Sequence, residues 1–129
     1  MRPLLVILAV VFSFGSGVPQ AQAAAFVGKW RAIAEVRNGV RRPVPGAVKM
    51  LITFASGGAF RQVVQMGRKT ARPEIGTWRL KGRKLVVKSG TTKRNRTTRR
   101  FGYRLRRGKL LLTMSIGQQK VVLHLRRAK

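Results

Sequence analysis

The chain has 129 residues, which is the length of one domain, and it carries 29 Lys and Arg against two Asp and Glu, for a formal net charge of +27. It contains no cysteine, which excludes disulfides, thiolate metal sites and lipid attachment through a cysteine. A surface with this charge attracts polyanions. Composition therefore favours a small cationic domain over a disulfide-stapled or thiolate-metal protein.

Residues 1–23 are predicted to form a secretory signal peptide. A short positive start, Met1 and Arg2, precedes an uncharged apolar run over 4–14 and a small-residue stretch that ends at Ala23. The apolar run reaches only about half of the roughly 20 residues that a membrane-spanning helix needs. We therefore expect cleavage after Ala23 or within the next two alanines. The mature chain would be one exported domain, 24–129, periplasmic or extracellular, without a transmembrane segment.

The mature chain is predicted to contain eight short β-strands, because apolar residues recur at every second position between glycine-rich turns. In chain order the predicted strands are 26–36, 48–55, 59–66, 76–80, 84–88, 99–105, 109–114 and 119–127. Residues 38–46 and 67–75 are predicted loops, and Pro73 in the second loop cannot donate to a sheet ladder.

These strands predict an all-β fold, a small antiparallel up-and-down barrel of eight strands, with a β-sandwich as the alternative. Closure of a barrel removes the edges that an open sheet would expose. The predicted interior is large enough to fill a barrel of this size, which leaves little room for a large ligand cavity. Its members are Trp30, Ile52, Phe54, Phe60, Val64, Trp78, Leu80, Tyr103, Leu105, Leu110, Leu112, Val121, Leu123 and Leu125.

Four stretches carry a family resemblance: GKW at 28–30, ITFASGGAF at 52–60, GTWRLKGRKLVV at 76–87, and YRL with GKLLL within 103–112. In this order they resemble the lipocalin-like domains of small secreted bacterial proteins. The resemblance implies that Trp30 lies at the closed end of a barrel and that Arg126 or Arg127 packs over its ring. Gly28, Trp30 and Arg126 are therefore the predicted closure residues. It also implies a carrier of a small ligand.

Catalytic chemistry is poorly supplied, because general acid and base catalysis usually needs histidine or a pair of carboxylates. His124 is out of phase with Leu123 and Leu125, so it is predicted to point outward. Glu35 and Glu74 are predicted to be local ion-pair partners. No serine, threonine or lysine has a recognisable base beside it. The sequence thus predicts a protein that is not an enzyme and holds no cofactor or metal.

Basic residues are the one chemical feature above background: 14 Lys and Arg lie within the 31 residues 79–109. Arginine outnumbers lysine 18 to 10 in the mature chain, and guanidinium groups suit phosphate and carboxylate because they donate two parallel hydrogen bonds. An outer face that is merely solvated is the alternative. The predicted polyanion-binding residues are Arg79, Lys81, Arg83, Lys84, Lys93, Arg94, Arg96, Arg99, Arg100, Arg104, Arg106 and Arg107.

The predicted function is that of a non-enzymatic exported binding protein with a cationic surface for anionic envelope or extracellular polymers. The candidate partners are anionic lipid headgroups, lipopolysaccharide, acidic polysaccharide and extracellular nucleic acid, all of which share the physics of counterion release. Sequence-specific reading of nucleic acid is not expected, because the chain offers no helix for a major groove and few aromatics for base stacking. A carrier of a small apolar or acidic ligand in the barrel interior is the alternative.

Overall fold

The computed structural model describes residues 20–128. Most of the predicted signal peptide, 1–19, lies outside the described residues, and the helix α1 (Gln20–Phe26) spans the predicted cleavage point. The strands are β1 (Gly28–Arg37), β2 (Val40–Pro43), β3 (Val48–Phe54), β4 (Ala59–Met66), β5 (Lys69–Thr70), β6 (Glu74–Lys81), β7 (Lys84–Gly90), β8 (Thr97–Arg106), β9 (Lys109–Ile116) and β10 (Gln119–Arg127). Within residues 20–128, no helix is both long and apolar enough to cross a membrane.

Eight of the ten strands form a closed antiparallel barrel, which confirms the predicted fold over the sandwich alternative. The order around the wall is β1, β3, β4, β6, β7, β8, β9 and β10, and β10 then pairs back with β1. The register of this closing pair runs from Trp30 opposite Arg127 to Arg37 opposite Val121, with one bulge between Ala32 and Ala34. Because the wall is closed, every barrel strand is hydrogen-bonded to a neighbour on each side over at least part of its length.

The two remaining strands, β2 and β5, lie in segments that were predicted to be loops. Residues 38–46 contain β2, which pairs with the second half of β1, and residues 67–75 contain β5, which pairs with the end of β4. The first predicted strand also began too early, because Phe26 belongs to α1 and is fully buried. Short polar segments with basic residues gave no alternating apolar signal, so sequence patterning missed them.

The core agrees with the predicted interior at most positions and extends it at one end of the barrel. Trp30, Phe54 and Leu110 have no exposed surface, whereas Leu80, Tyr103, Leu105 and Leu123 are only partly buried. The prediction missed six buried residues, namely Phe26, Ala32, Ala34, Leu85, Val86 and Val87. Five of the aromatic rings, those of Phe26, Phe54, Phe60, Trp78 and Tyr103, pack within 6 Å of one another in stacked, tilted or edge-on pairs.

An antiparallel meander places successive turns at opposite ends of the barrel. The closed end is formed by α1 and the turns at 55–58, 82–83 and 107–108, and the aromatic rings fill it. The open end is formed by the turns at 38–39, 67–68 and 117–118 and the loop 91–96. The exposed large hydrophobic side chains of the described residues, Val40, Met66, Ile75 and Ile116, all lie towards the open end.

Candidate functional site

The closure group at the closed end is built by Trp30 and Arg127. The Trp30 Nε1 donates to the Phe26 carbonyl at 2.9 Å, and the Arg127 guanidinium lies 4.2 Å from the centre of the indole ring. Arg127 also donates to the carbonyl oxygens of Val27, at 2.5 Å, and Ala25, at 2.6 Å. Such charge-assisted bonds fix the segment before β1 against the last strand.

Arg126 was the wrong choice for this closure. The register of β1 and β10 places Arg127 opposite Trp30 and Arg126 opposite Arg31, and neighbouring residues of a strand point to opposite faces. Gly28 does belong to the group: its φ is +135°, and a Cβ there would meet the Arg127 guanidinium. The role of Gly28, Trp30 and Arg127 is therefore structural: their contacts hold the closed end of the barrel together.

Both carboxylates of the chain pair with arginines on the interior face of the barrel. Glu74 Oε1 accepts from Arg99 Nη2 at 3.0 Å and from Ser89 Oγ at 3.2 Å. Glu35 accepts from Arg37 at 2.8 Å, and the register sets these two residues opposite Leu123 and Val121, which face the core. Glu35 and Glu74 are thus ion-pair partners, as predicted. The outer wall is left without an acidic side chain.

The predicted polyanion-binding residues do not gather in one place. Arg79, Lys84, Arg100, Arg104 and Arg106 lie on the outer wall between the apolar interior positions. Three others, Lys81, Arg83 and Arg107, lie at or next to turns of the closed end, and Lys93, Arg94 and Arg96 lie in the loop of the open end. The Nε of Arg96 is buried without a hydrogen-bond partner among the described residues.

Arg99, one of the predicted polyanion-binding residues, lies on a different face, because its side chain does not share the outer wall with Arg100. The register sets Arg99 opposite Val87, an interior position, and its guanidinium is held by Glu74. Two consecutive strand residues cannot face the same side. Arg99 is therefore a lining residue of the barrel interior.

Four cations lie in register across four neighbouring strands, and we call this set the cationic row. Arg106 on β8 is opposite Lys109 on β9, Lys109 is opposite Arg126 on β10, and Arg126 is opposite Arg31 on β1. Residues that face each other across an antiparallel pair have Cβ atoms about 4.5 to 5.5 Å apart, where like charges repel. Of these four residues, only Arg106 is among the predicted polyanion-binding residues, because the register that aligns the others is not visible in the sequence.

Next to the cationic row, a cationic groove of about 720 Å³ runs between β1, β3 and the end of β10. Its lining consists of Lys29, Arg31, Lys49, Leu51, Arg126, Arg127 and Ala128. The groove lies where β1 stops pairing with β3: that ladder covers only Gly28–Arg31, after which β2 takes the place of β3 beside β1. Residues 48–50 of β3 are thus left without β1 as a neighbour, and a gap opens in the wall.

His124 lies on the outer face of β10, half-buried and opposite Leu111 and Ala34, as predicted from its phase. Burial, followed by the positive charges of Arg41 and Lys109, lowers the pKa of this imidazole below its ordinary value. His124 therefore carries less positive charge near pH 7 than an ordinary imidazole would. As the pH falls, the unfolded chain takes up this proton before the folded one, so stability declines slightly.

The barrel interior contains a cavity of about 170 Å³ between the core and the open end. Apolar side chains supply most of its lining, and Gln62, Ser89 and Arg99 supply the polar groups. Known small-molecule pockets measure about 300 to 1,000 Å³, whereas a cavity near 150 Å³ holds a molecule the size of benzene. The interior can thus take only a very small ligand.

The two aromatic residues of the basic segment 79–109, Phe101 and Tyr103, lie inside the barrel and not on its surface. Phe101 lines the interior cavity, and the ring of Tyr103 packs edge-on against Phe26 at 4.9 Å. Burial raises the pKa of the Tyr103 hydroxyl, which donates to the Gly82 carbonyl.

In the described part of the chain, no group of three His, Cys, Asp or Glu side chains could hold a metal ion.

Comparison with known proteins supports the fold and goes no further. No protein-family model matches the chain, and neither does a curated protein sequence. An uncharacterised protein from Bacteroides eggerthii superposes with a TM-score of 0.54 at 17% identity, covering 77% of this chain and 98% of that one. A variant of the fluorescent protein UnaG gives a TM-score of 0.46 at 18% identity, with 82% and 98% covered. The barrel agrees with the lipocalin-like fold implied by the sequence resemblance.

Proposed function

We propose that this protein is a non-enzymatic binding protein whose cationic outer wall holds anionic polymers that bear phosphate or carboxylate groups. The observation that carries the proposal is the cationic row, Arg106, Lys109, Arg126 and Arg31, in register across four strands. A linear polyanion that crosses these strands meets one cation on each strand. Strand neighbours are about 4.8 Å apart, and each strand of a DNA duplex carries one charge per about 3.4 Å of axis, so the cations follow one another at a distance of the same order as the charges of the polymer.

The charge balance supports this function over a merely solvated wall. Both carboxylates are engaged with Arg37 and Arg99, so none is available to neutralise the cationic row. Each of the three facing pairs in the row sets like charges directly opposite each other, which is destabilising. A wall that served only solubility could place its cations out of register at no such cost. Binding of an anion would remove the repulsion and release counterions.

The place of action is proposed from the predicted signal peptide, 1–23, and the partners from the charge. An exported protein, periplasmic or extracellular, meets lipopolysaccharide, anionic lipid headgroups, acidic polysaccharide and free nucleic acid, all of which carry the required groups. Nucleic acid would be held through its phosphates, because Phe101 and Tyr103 face the barrel interior and offer no stacking surface.

The row variant tests the proposal: Arg106→Gln, Lys109→Gln and Arg126→Gln together. Binding of a short DNA duplex is measured by fluorescence anisotropy over a salt series. Each phosphate contact contributes about −0.9 to the slope of log K against log salt concentration, so we expect the slope to become less steep by about 2 to 3. The row variant should also melt at a higher temperature, because it lacks repelling pairs.

The matched control removes the same charge at the open end, through Arg68→Gln, Lys69→Gln and Arg72→Gln, all exposed. Its slope should change by less than about 1. Equal changes in the two variants would show that net charge alone attracts the polymer and would reject the cationic row as the site. Binding by the unmodified protein no tighter than that of a neutral control would reject the function itself.

The interior cavity supports a second candidate function, the carriage of a small apolar ligand with one acidic or polar group. Gln62, Ser89 and Arg99 would meet the polar group, while the phenyl ring of Phe101 contacts the apolar part. Benzene and benzoate are suitable probes for about 170 Å³. We expect either probe to raise the melting temperature, and Leu112→Trp, which fills the cavity, to abolish the rise. Equal effects on the two proteins would contradict carriage.

A further inference from the structure

The cationic groove contains four basic side chains without a protein partner. Lys29, Arg31, Lys49 and Arg126 line it, and among residues 20–128 none of the four makes a side-chain hydrogen bond or an ion pair. Arg127, which also lines the groove, is already engaged with the carbonyls of Ala25 and Val27. The four remaining side chains therefore present their full charge to the groove.

The groove is also a concave site of the right size for a small molecule. Its volume of about 720 Å³ falls within the 300 to 1,000 Å³ of known ligand pockets, unlike the interior cavity. A second cavity of about 350 Å³ shares Arg31 and Lys49 and continues towards Gly46 and Gly67. Leu51 lies opposite Arg31 and gives the floor one apolar contact.

Charge matching selects the class of ligand. A phosphate monoester carries about −1.5 to −2 at pH 7, so two phosphoryl groups carry about −3 to −4. This matches the four unpartnered cations of the groove, whereas a single carboxylate would leave most of their charge uncompensated. Arginine supplies paired hydrogen bonds to phosphate oxygens, and lysine supplies mobile point charges, so the two residue types together suit phosphoryl groups.

We infer that the cationic groove is a discrete binding site for two phosphoryl groups on one compact ligand, either a free compound or the terminal unit of a polymer. This inference rests on the proposed function and narrows it from the outer wall to one site. Lys29 and Arg31 reach the groove from β1, Lys49 from β3 and Arg126 from β10, opposite Arg31.

The test is calorimetric titration of the full chain with inorganic pyrophosphate and, separately, with a short polyphosphate chain, at about 0.15 M salt. The unmodified protein should saturate with one equivalent of ligand. Lys29→Gln with Lys49→Gln should weaken binding at least ten-fold, because both lysines reach the groove and neither belongs to the cationic row. Circular dichroism on both proteins confirms that the fold is unchanged.

Lys69→Gln with Lys120→Gln is the matched control, since it removes two exposed lysines towards the open end, on β5 and β10, that belong neither to the groove nor to the cationic row. It should weaken binding by less than about two-fold. Saturation by pyrophosphate supports the site with a free compound as ligand, and saturation by the chain alone supports it with a polymer end. Saturation by neither, or equal weakening in both variants, overturns the groove site. The DNA salt slope of the cationic row is measured separately, so the proposed function can stand when this inference fails.

Discussion

Trp30→Ala is expected to lower the free energy of unfolding by about 4 to 6 kcal/mol. Trp30 has no exposed surface, and truncation of a buried tryptophan leaves a cavity that costs about 3 to 5 kcal/mol. The Phe26 carbonyl also loses its donor, and the Arg127 guanidinium loses the ring beneath it. Because small domains are stable by only about 5 to 15 kcal/mol, this loss removes a large part of the free energy of unfolding. Urea denaturation followed by circular dichroism measures the loss.

Trp30→Phe is the comparison that separates burial from hydrogen bonding. It keeps an aromatic ring under Arg127 but removes the N–H that donates to Phe26, so we expect a loss of about 1.5 to 2.5 kcal/mol. Equal losses for the alanine and phenylalanine variants would show that the ring itself contributes little. Trp78 remains in both variants and serves as the fluorescent reporter of unfolding.

Gly76→Ala is expected to cost 3 kcal/mol or more, although the change adds one methyl group. A Cβ at Gly76 would meet the Lys88 carbonyl oxygen and lie 2.7 Å from the Cα of Ser89, both on the neighbouring strand β7. These are backbone atoms in a hydrogen-bonded ladder, so they can move only if β6 and β7 separate. Thermal unfolding by calorimetry gives the measurement, with a fall in melting temperature above about 10 °C expected.

Gly46→Ala is the control for this prediction. Its φ is not in the left-handed region, and a Cβ there meets nothing within 4 Å. Stability should change by less than about 0.5 kcal/mol, because the new methyl group is exposed. A large loss in this variant, or none in Gly76→Ala, would contradict the close approach of β6 and β7 at that point.

The fold was predictable because most strands show their own alternation of apolar residues in the sequence. Alternation over Ile52 and Phe54, or over Leu110 and Leu112, marks a strand and its buried face without knowledge of its neighbours. The turns between strands are marked by glycine, and short links force antiparallel neighbours. Phe26 escaped prediction because it is followed by an apolar run with strand periodicity, and nothing local shows that it turns back to cap the barrel.

The candidate sites were less predictable because they depend on register. Arg31, Lys109 and Arg126 are far apart in the chain and meet only through strand pairing. A bulge at Ile33, between Ala32 and Ala34, also shifts the face of β1, which turns Glu35 and Arg37 inward. The density of basic residues along the chain therefore correctly indicated a cationic protein. It also placed the predicted binding residues in the segment 79–107, and the barrel distributes that segment over both of its ends and both of its faces.

The pairing of β10 with β1 has a consequence for the order in which the protein forms. Synthesis proceeds from the N-terminus at about 5 to 20 residues per second, so β1 is made first and its partner β10 last. Until Arg127 has emerged, the indole of Trp30 lacks its cation and β1 has one side without a hydrogen-bonded neighbour. Closure of the barrel therefore follows synthesis of the last strand, and until then mutual repulsion of the basic side chains opposes pairing between the open strand edges of different chains.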